Sequence, residues 1–422
     1  MEISEKLNVE CMKISHINFS DNIGGASKAA MRICDAVNLV SNIEAELIVS
    51  NKSLDRSNII EVNSKKGLFY SSAVRKLESI ATKIFFSSNQ STSFSFHPSN
   101  SAKRINALNS DIIHLHWING GMLSIADIAK IKKPKIWTLH DMWPFCATEH
   151  YAKNDNWQKG YANQKNNRSV EYLLNSFIWN KKNLMWNEPF QIVAPSMWMA
   201  DCARQSKLFE SWPITVIKNP IDAEKWFPSD TLIARELLGL PADIPLVLFG
   251  AAGGINDPRK GFKYIEEAMT ILQHDIPNIQ LAIFGNSDAL DSLDNLSYKI
   301  HNMGVISDTN RLRNLYTACD VFVLPSLQDN LPNTGVESIA CGTPIAAFNL
   351  GGMEDIVIHK KTGYLAASPN SEELANGLHW ILNHANHSEL SKNCSQHALD
   401  NFSFSVVANQ YTELYTKILD NQ

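Results

Sequence analysis

Short stretches in which nearly every residue is apolar alternate with stretches of helical spacing along this chain. That alternation restricts its architecture more than any other feature. Strands that are apolar at every position are covered on both faces, as in parallel sheets flanked by helices. In the first half the candidate strands are Ile14–Phe19, Ala45–Val49, Ile112–His116, Ile136–Leu139, Ile192–Ala194 and Ile214–Ile217. In the second half they are Leu246–Phe249, Leu281–Phe284, Val321–Leu324 and Pro344–Phe348. Helical patterns fill the gaps, among them Ala26–Val40, Tyr172–Trp186, Gly261–Leu272 and Ser371–Leu382. The pattern reads as α/β, with enough strands for two sheets. The break is expected within Lys218–Asp230, where Pro220 and Pro228 precede a new helix and a new buried strand. A closing helix, Ser405–Leu419, follows the second sheet. Met12 stands directly before the first strand, so residues 1–11 read as a loose extension or as lying upstream of the real start.

Composition excludes several classes. With 44% hydrophobic and 19% charged residues in 422, the chain can bury a large core and is not a disordered one. No apolar run approaches the roughly 18–20 residues that span a bilayer; the longest, Ile244–Ile255, is broken by Gly250, Gly253 and Gly254. No secretory signal is expected from the N-terminal pattern. The seven cysteines, Cys11, Cys34, Cys146, Cys202, Cys319, Cys341 and Cys394, form no CxxC pair, which argues for a reducing compartment and against a zinc knuckle. The net charge of -5 is uneven: residues 1–190 carry 23 Lys+Arg against 17 Asp+Glu, and the remainder is acidic. This reads either as uneven surface decoration or as a basic half that faces an anionic surface or a phosphorylated substrate. No nucleic-acid-binding signature is present.

Ligands of doubly wound sheets bind beyond the carboxyl ends of the strands, and four motifs fall there. The first is Asp21-Asn22-Ile23-Gly24-Gly25-Ala26-Ser27. Gly24 and Gly25 allow close backbone approach, and the helix start after them offers N–H groups to an anion. A tight strand–helix turn would use the same residues. The segment is neither a GxGxxG nor a Walker loop. The second motif, Trp137-Thr138-Leu139-His140-Asp141, ends a strand in His140. That side chain reads as entering a ligand cleft, with a satisfied structural histidine as the plainer alternative. His114 and His116 point to one side of their strand, and no third ligand for a metal is evident.

The third motif is Gly253-Gly254-Ile255-Asn256-Asp257-Pro258-Arg259-Lys260-Gly261. Arg259 can grip phosphate oxygens in a fork and Lys260 adds a point charge. Two cations at a helix start oppose its macrodipole unless a diphosphate joins them; two solvated side chains are the alternative. The fourth and most specific motif runs Pro325-Ser326-Leu327-Gln328-Asp329-Asn330-Leu331-Pro332-Asn333-Thr334-Gly335-Val336-Glu337-Ser338. Asp329 is expected in the loop, Glu337 one turn inside a helix that begins near Asn333, and the Asn333 and Thr334 amides toward an anion.

In this order and spacing the four motifs resemble the retaining nucleotide-sugar glycosyltransferases of the GT-B fold, specifically glycosyltransferase family 4 (group 1). The resemblance covers essentially the whole chain, including Lys218-Asn219-Pro220-Ile221-Asp222 and the closing helix. It implies two facing Rossmann-like doubly wound domains: residues 1–221 for the acceptor, 222–402 for the nucleotide sugar, and a helix, 403–422, returning to the first domain. It implies that Glu337 holds the ribose hydroxyls and Asp329 the hydroxyls of the transferred sugar. Arg259 and Lys260 would hold the diphosphate, Gly24 and Gly25 would close over it, and His140 would stand beside the sugar. Asn330, Leu331, Asn333 and Thr334 would complete the donor site. Two departures are notable: Asp329 stands where the family usually has Glu, and Pro332, which lacks an N–H, stands where many relatives have Gly. The stretch Thr138–Phe145 further resembles members that serve bacterial O-antigen, capsule or colanic-acid assembly.

The activity so implied is hexosyl transfer, with retained configuration, from a UDP- or GDP-sugar to a glycan or an undecaprenyl-diphosphate-linked acceptor, without a cofactor. The leaving group is already a diphosphate, so preorganised cations and amides rather than two hydrolase-type carboxylates carry the chemistry. By the same analogy a diphosphate oxygen takes the acceptor proton. No DxD sequence occurs in the chain, so a metal-bridged donor is not expected. The alternatives are a nucleotide-sugar epimerase or sugar phosphorylase of the same fold, or a catalytically degenerate sugar-nucleotide-binding subunit. Residues 64–104 interleave Lys65, Lys66, Arg75, Lys76, Lys83, Lys103 and Arg104 with aromatic residues. This segment reads as a basic surface touching the inner face of the cell membrane, in an otherwise cytoplasmic protein, or as a core-facing helix with a solvated back.

Overall fold

The computed structural model describes residues 11–62, 65–86, 91–97, 99–161, 169–251, 255–286 and 296–421, without the side chains of 65–69 and 251. The chain forms two compact units, one of residues 1–195, 199–217 and 407–422, the other of 196–198 and 218–406. The first unit thus ends at Ile217 rather than Ile221. The C-terminal return begins at Val407 rather than Ser403. The expectation for residues 1–10 lies outside the described residues, and Met12 opens the first strand.

The first unit is a seven-stranded sheet. Its strands are β1 (Met12–Ser20), β2 (Ile43–Asn51), β3 (Ile59–Glu61), β4 (Ile112–Leu115), β5 (Lys135–Thr138), β6 (Gln191–Ala194) and β7 (Ile214–Val216). They lie in the order β3-β2-β1-β4-β5-β6-β7, all parallel. One face of the sheet packs Ile14, Leu47, Val49, Ile112 and Ile136 against helix Gly24–Val37 through Ala30, Ile33, Cys34 and Val37. Val407, Tyr411, Leu414 and Tyr415 of the closing helix Phe404–Asp420 complete this core. Burial of each such aliphatic side chain is worth roughly 1.5–3 kcal/mol.

The second unit is a six-stranded parallel sheet of β8 (Leu246–Ala251), β9 (Gln280–Gly285), β10 (Ile300–Gly304), β11 (Val321–Leu324), β12 (Ile345–Phe348) and β13 (Gly363–Ala366). The order is β10-β9-β8-β11-β12-β13, with parallel pairing throughout. β8 therefore has β9 on one side and β11 on the other. The strand order reverses there, which makes the carboxyl ends of β8 and β11 the place where such a sheet binds ligands. Helix Phe262–Leu272 follows β8 and helix Asn333–Ala340 follows β11.

Candidate functional site

The third and fourth motifs meet at this switch point. Pro258–Lys260 form a single 3-10 turn, and Gly261, at φ +70°, turns the chain into helix Phe262–Leu272. A Cβ on Gly261 would stand 2.1 Å from the carbonyl oxygen of Pro325, so only glycine lets the two loops touch. The Leu327 amide donates to the Arg259 carbonyl at 2.7 Å. Lys260 Nζ donates to Asp329 Oδ2 at 2.5 Å. Arg259 donates to Asp257 Oδ2 at 2.9 Å and to the Gln328 carbonyl at 3.4 Å. The macrodipole conflict expected for the basic pair is therefore already met by two carboxylates, Asp257 and Asp329. The cations precede the helix rather than open it.

Asp329 is buried, and Ser326 and the Asn330 amide also donate to its carboxylate. Its carbonyl accepts from the Gly352 amide at 3.0 Å. Gly351 and Gly352 pass so close that a Cβ on the second would lie 1.7 Å from the Asn330 carbonyl oxygen. Helix Asn333–Ala340 is capped by Pro332, which supplies no side-chain acceptor. Asn333 and Thr334 are half-buried at its start. Glu337 is buried one turn further in, accepting from the Tyr316 hydroxyl at 3.3 Å. Two residues expected at the donor behave otherwise. Leu331 packs into the core of the unit, which leaves only its backbone for a ligand. The Asn330 side chain accepts from Ser196 Oγ at 2.8 Å and supports the loop. Gly253 and Gly254 lie outside the described residues.

In the first unit Gly24 and Gly25 are exposed. Gly24 has φ +83° with open space where a Cβ would stand, and the helix after it has no side-chain cap. Asp21 is structural: it accepts from the Ser53 and Leu54 amides and the Ser53 hydroxyl, each at 2.7 Å. Burial alone would raise its carboxyl, but these hydrogen bonds take it below its ordinary value. Asp141 is structural as well. It accepts from His150 Nδ1, Trp117 Nε1 and the Trp143 amide. Burial opposes its ionisation, and His150 beside it brings the carboxyl below the ordinary range. The wholly buried Lys182 donates to the carbonyls of Trp143, Cys146 and Ala147, and burial pushes its ammonium down to about 7. Much of the stretch Thr138–Phe145 thus shapes a loop.

His140 leaves the carboxyl end of β5 half-buried, and its Nε2 lies 3.0 Å from His116 Nδ1. His116 Nε2 in turn lies 2.9 Å from His16 Nδ1. His114 pairs with the Tyr415 and Thr138 hydroxyls. The third imidazole not evident in the sequence is therefore present. Nitrogens of His16, His114 and His116 lie within 4.8 Å of one another, a spacing that could hold a metal ion. The rings stack, however, at interplanar angles of 20–36°. Every nitrogen of the three rings except His16 Nε2 is engaged in a hydrogen bond, so the array fits a hydrogen-bonded chain better than a coordination site. His16 shows little signal in sequence: it follows the core residue Ile14 at the strand period of two, but β1 also carries Ser15, Asn18 and Ser20.

The chain's two Rossmann-like parallel-sheet units, one with acids and cations at its switch point, define the GT-B fold. Residues 65–225 match the family described as Glycosyltransferase Family 4, and residues 253–400 match that described as Glycosyl transferases group 1. Together these take in most of the chain, which carries a glycosyltransferase family 4 domain followed by a glycosyl transferases group 1 domain. An uncharacterized glycosyltransferase of Haemophilus influenzae is 32% identical over 29% of this chain and 36% of its own length. A galactosyltransferase of Escherichia coli, named as acting on UDP-Gal and α-D-GlcNAc-diphosphoundecaprenol, is 25% identical over 50% and 55%. An N-acetylgalactosaminyltransferase of Campylobacter jejuni, named for a diphospho-undecaprenol substrate, is 29% identical over 38% and 43%. The chain thus spans between about a third and about half the length of these relatives. Anabaena HepE in complex with UDP-glucose has the same fold, with a TM-score of 0.65 at 18% identity over 96% of this chain and 100% of that one. So does a sucrose-phosphate synthase of Thermosynechococcus elongatus, at 0.64 and 18% over 97% and 100%.

Proposed function

We propose that the protein is a retaining hexosyltransferase that moves a sugar from a UDP- or GDP-sugar to a lipid-linked diphosphate acceptor in bacterial surface-polysaccharide assembly. The observation that carries the reading is the pairing of Lys260 with Asp329, beside Arg259, at the β8/β11 switch point. A diphosphate arriving there would draw Lys260 and Arg259 from their carboxylates, freeing Asp329 for sugar hydroxyls. The two relatives named for diphospho-undecaprenol substrates support the acceptor class. Incubation of the protein with labelled UDP- and GDP-sugars and an undecaprenyl-diphosphate-linked glycan tests it. Transfer of label to the lipid is expected. Free sugar nucleotide epimerised without an acceptor would defeat the reading.

Glu337→Ala should weaken binding of the nucleoside diphosphate by about 1.5–3 kcal/mol, the worth of a hydrogen bond to a charged group. Unchanged affinity in calorimetry would remove Glu337 from the ribose. Transfer should also survive EDTA, since Arg259 and Lys260 supply the positive charge. Loss of activity restored by magnesium or manganese would contradict that.

The acceptor class suggests work at a membrane surface, and no helix among the described residues is long and apolar enough to cross one. Helix Lys65–Phe85 buries Val74 but exposes Leu77, Ile80 and Ile84, the last by 68%. Lys76 and Lys83 flank this stripe and are exposed, while the Lys65 and Lys66 side chains lie outside the described residues. The helix thus combines a core-facing side with an apolar, basic outer one, as interfacial helices do. Binding to anionic liposomes at low salt is expected to fall after Lys76→Glu and Lys83→Glu, and at high salt. Equal binding to neutral and anionic vesicles would argue against it.

A further inference from the structure

We propose that His16 and His116 are positioning residues that hold His140 as an Nδ1–H hydrogen-bond donor through a chain of imidazoles across the first sheet. The inference rests on the transferase reading only for the use of that donor; the chain itself is a matter of geometry. His16 lies mid-strand in β1, in register with His114 of β4. His116 follows β4 by one residue and His140 follows β5 by two. The links are His16 Nδ1 to His116 Nε2 at 2.9 Å and His116 Nδ1 to His140 Nε2 at 3.0 Å. His114 stacks on its neighbours but stands outside the chain, because both its nitrogens pair with hydroxyls.

A neutral imidazole carries one N–H, so only two polarities satisfy both links. In the inward polarity His140 donates to His116, His116 donates to His16, and the proton of His16 sits on Nε2. That nitrogen is buried with no hydrogen-bond partner among the described residues. A buried N–H without an acceptor is among the rarest and costliest arrangements in proteins. In the outward polarity His16 Nδ1–H donates to His116, His116 Nδ1–H donates to His140, and only a lone pair is left on His16 Nε2. The outward polarity prevails, and the proton of His140 lies on Nδ1. That nitrogen makes no hydrogen bond to the described residues, and the half-buried ring ends the chain at the carboxyl edge of the sheet. Such a group donates to a sugar oxygen and does not serve as a base through that nitrogen. This agrees with proton transfer to the departing diphosphate.

Two-bond 15N–1H correlation spectra of the histidine-labelled protein read the tautomers directly. Nδ1–H is expected on His16, His116 and His140, although Nε2–H is the commoner form of imidazole in water. Nε2–H on His116 or His140 overturns the proposal whether or not any transfer is found. His16→Leu removes the first donor and should convert part of His140 to Nε2–H, lowering kcat about tenfold with the donor KM unchanged. His16→Asn places an amide N–H where Nδ1 stood and should restore both the tautomer and kcat. Equal losses in the two variants, or an unchanged kcat in His16→Leu with an altered His140 tautomer, overturn the positioning role. Absence of transfer by the unmodified protein, with the tautomers as expected, defeats the function alone.

Discussion

Below about pH 6.5 the first unit is expected to lose stability steeply. Burial holds His16 down to about 3 and His140 to about 4, and holds His114 and His116 well below their ordinary value, with neighbouring imidazoles adding to it. Unfolding returns each ring to water, where it titrates near 6.5. The unfolded chain therefore binds more protons than the folded one at any pH between the two values. Stability is full above 6.5 and is lost as pH falls toward the folded values. Each group contributes about 1.4 kcal/mol per pH unit once its unfolded form is protonated, so the four together approach about 5 kcal/mol per unit. Domain stabilities are about 5–15 kcal/mol, so the first unit should unfold within about two to three units below pH 6.5. Denaturant titrations at pH 7, 6 and 5, followed by tryptophan fluorescence, measure this well, because most of the tryptophans lie in the first unit. A stability that changes by less than one proton's worth across that range would mean that the histidines are solvated or already charged.

Arg259→Ala and Lys260→Ala should each lower kcat about 10²–10³-fold, the usual loss when one preorganised donor to a developing charge is removed. The donor KM should change much less, because negative charge on the diphosphate is greater in the transition state than in the bound substrate. Lys260→Ala also leaves the buried Asp329 carboxylate without its cation, so the thermal stability of that variant should fall as well. Arg259 is more exposed and its partner Asp257 less buried than Asp329, so Arg259→Ala should leave stability nearly unchanged. Equal rises in KM with unchanged kcat would restrict both residues to ground-state binding.

The buried strands were legible from sequence because burial on both faces leaves a continuous apolar run, as in Val321–Leu324, where expectation and structure coincide. Helix Ser371–Leu382 was equally legible, since one buried face imposes a 3.6-residue period. The strands β3, β10 and β13 escaped: each leaves residues partly open to water, Glu61 ends β3, His301 and Asn302 interrupt β10, and β13 is only four residues opened by a glycine. The cations and acids that the structure gathers at the β8/β11 switch point were also readable, because they stand in polar loops directly after buried strands. What the sequence could not disclose was which of them touch. Lys260 and Asp329 are 69 residues apart, and only the adjacency of β8 and β11 brings them together. His16 and His116 are 100 residues apart, joined by the register of β1 on β4. Leu331 read as a ligand residue until the packing of its unit took the side chain inward. Local chemistry and periodicity determine which segments become strands, helices and polar loops. The pairing of distant side chains depends on strand order and register, which minimise the energy of the whole sheet and leave no mark at any one position.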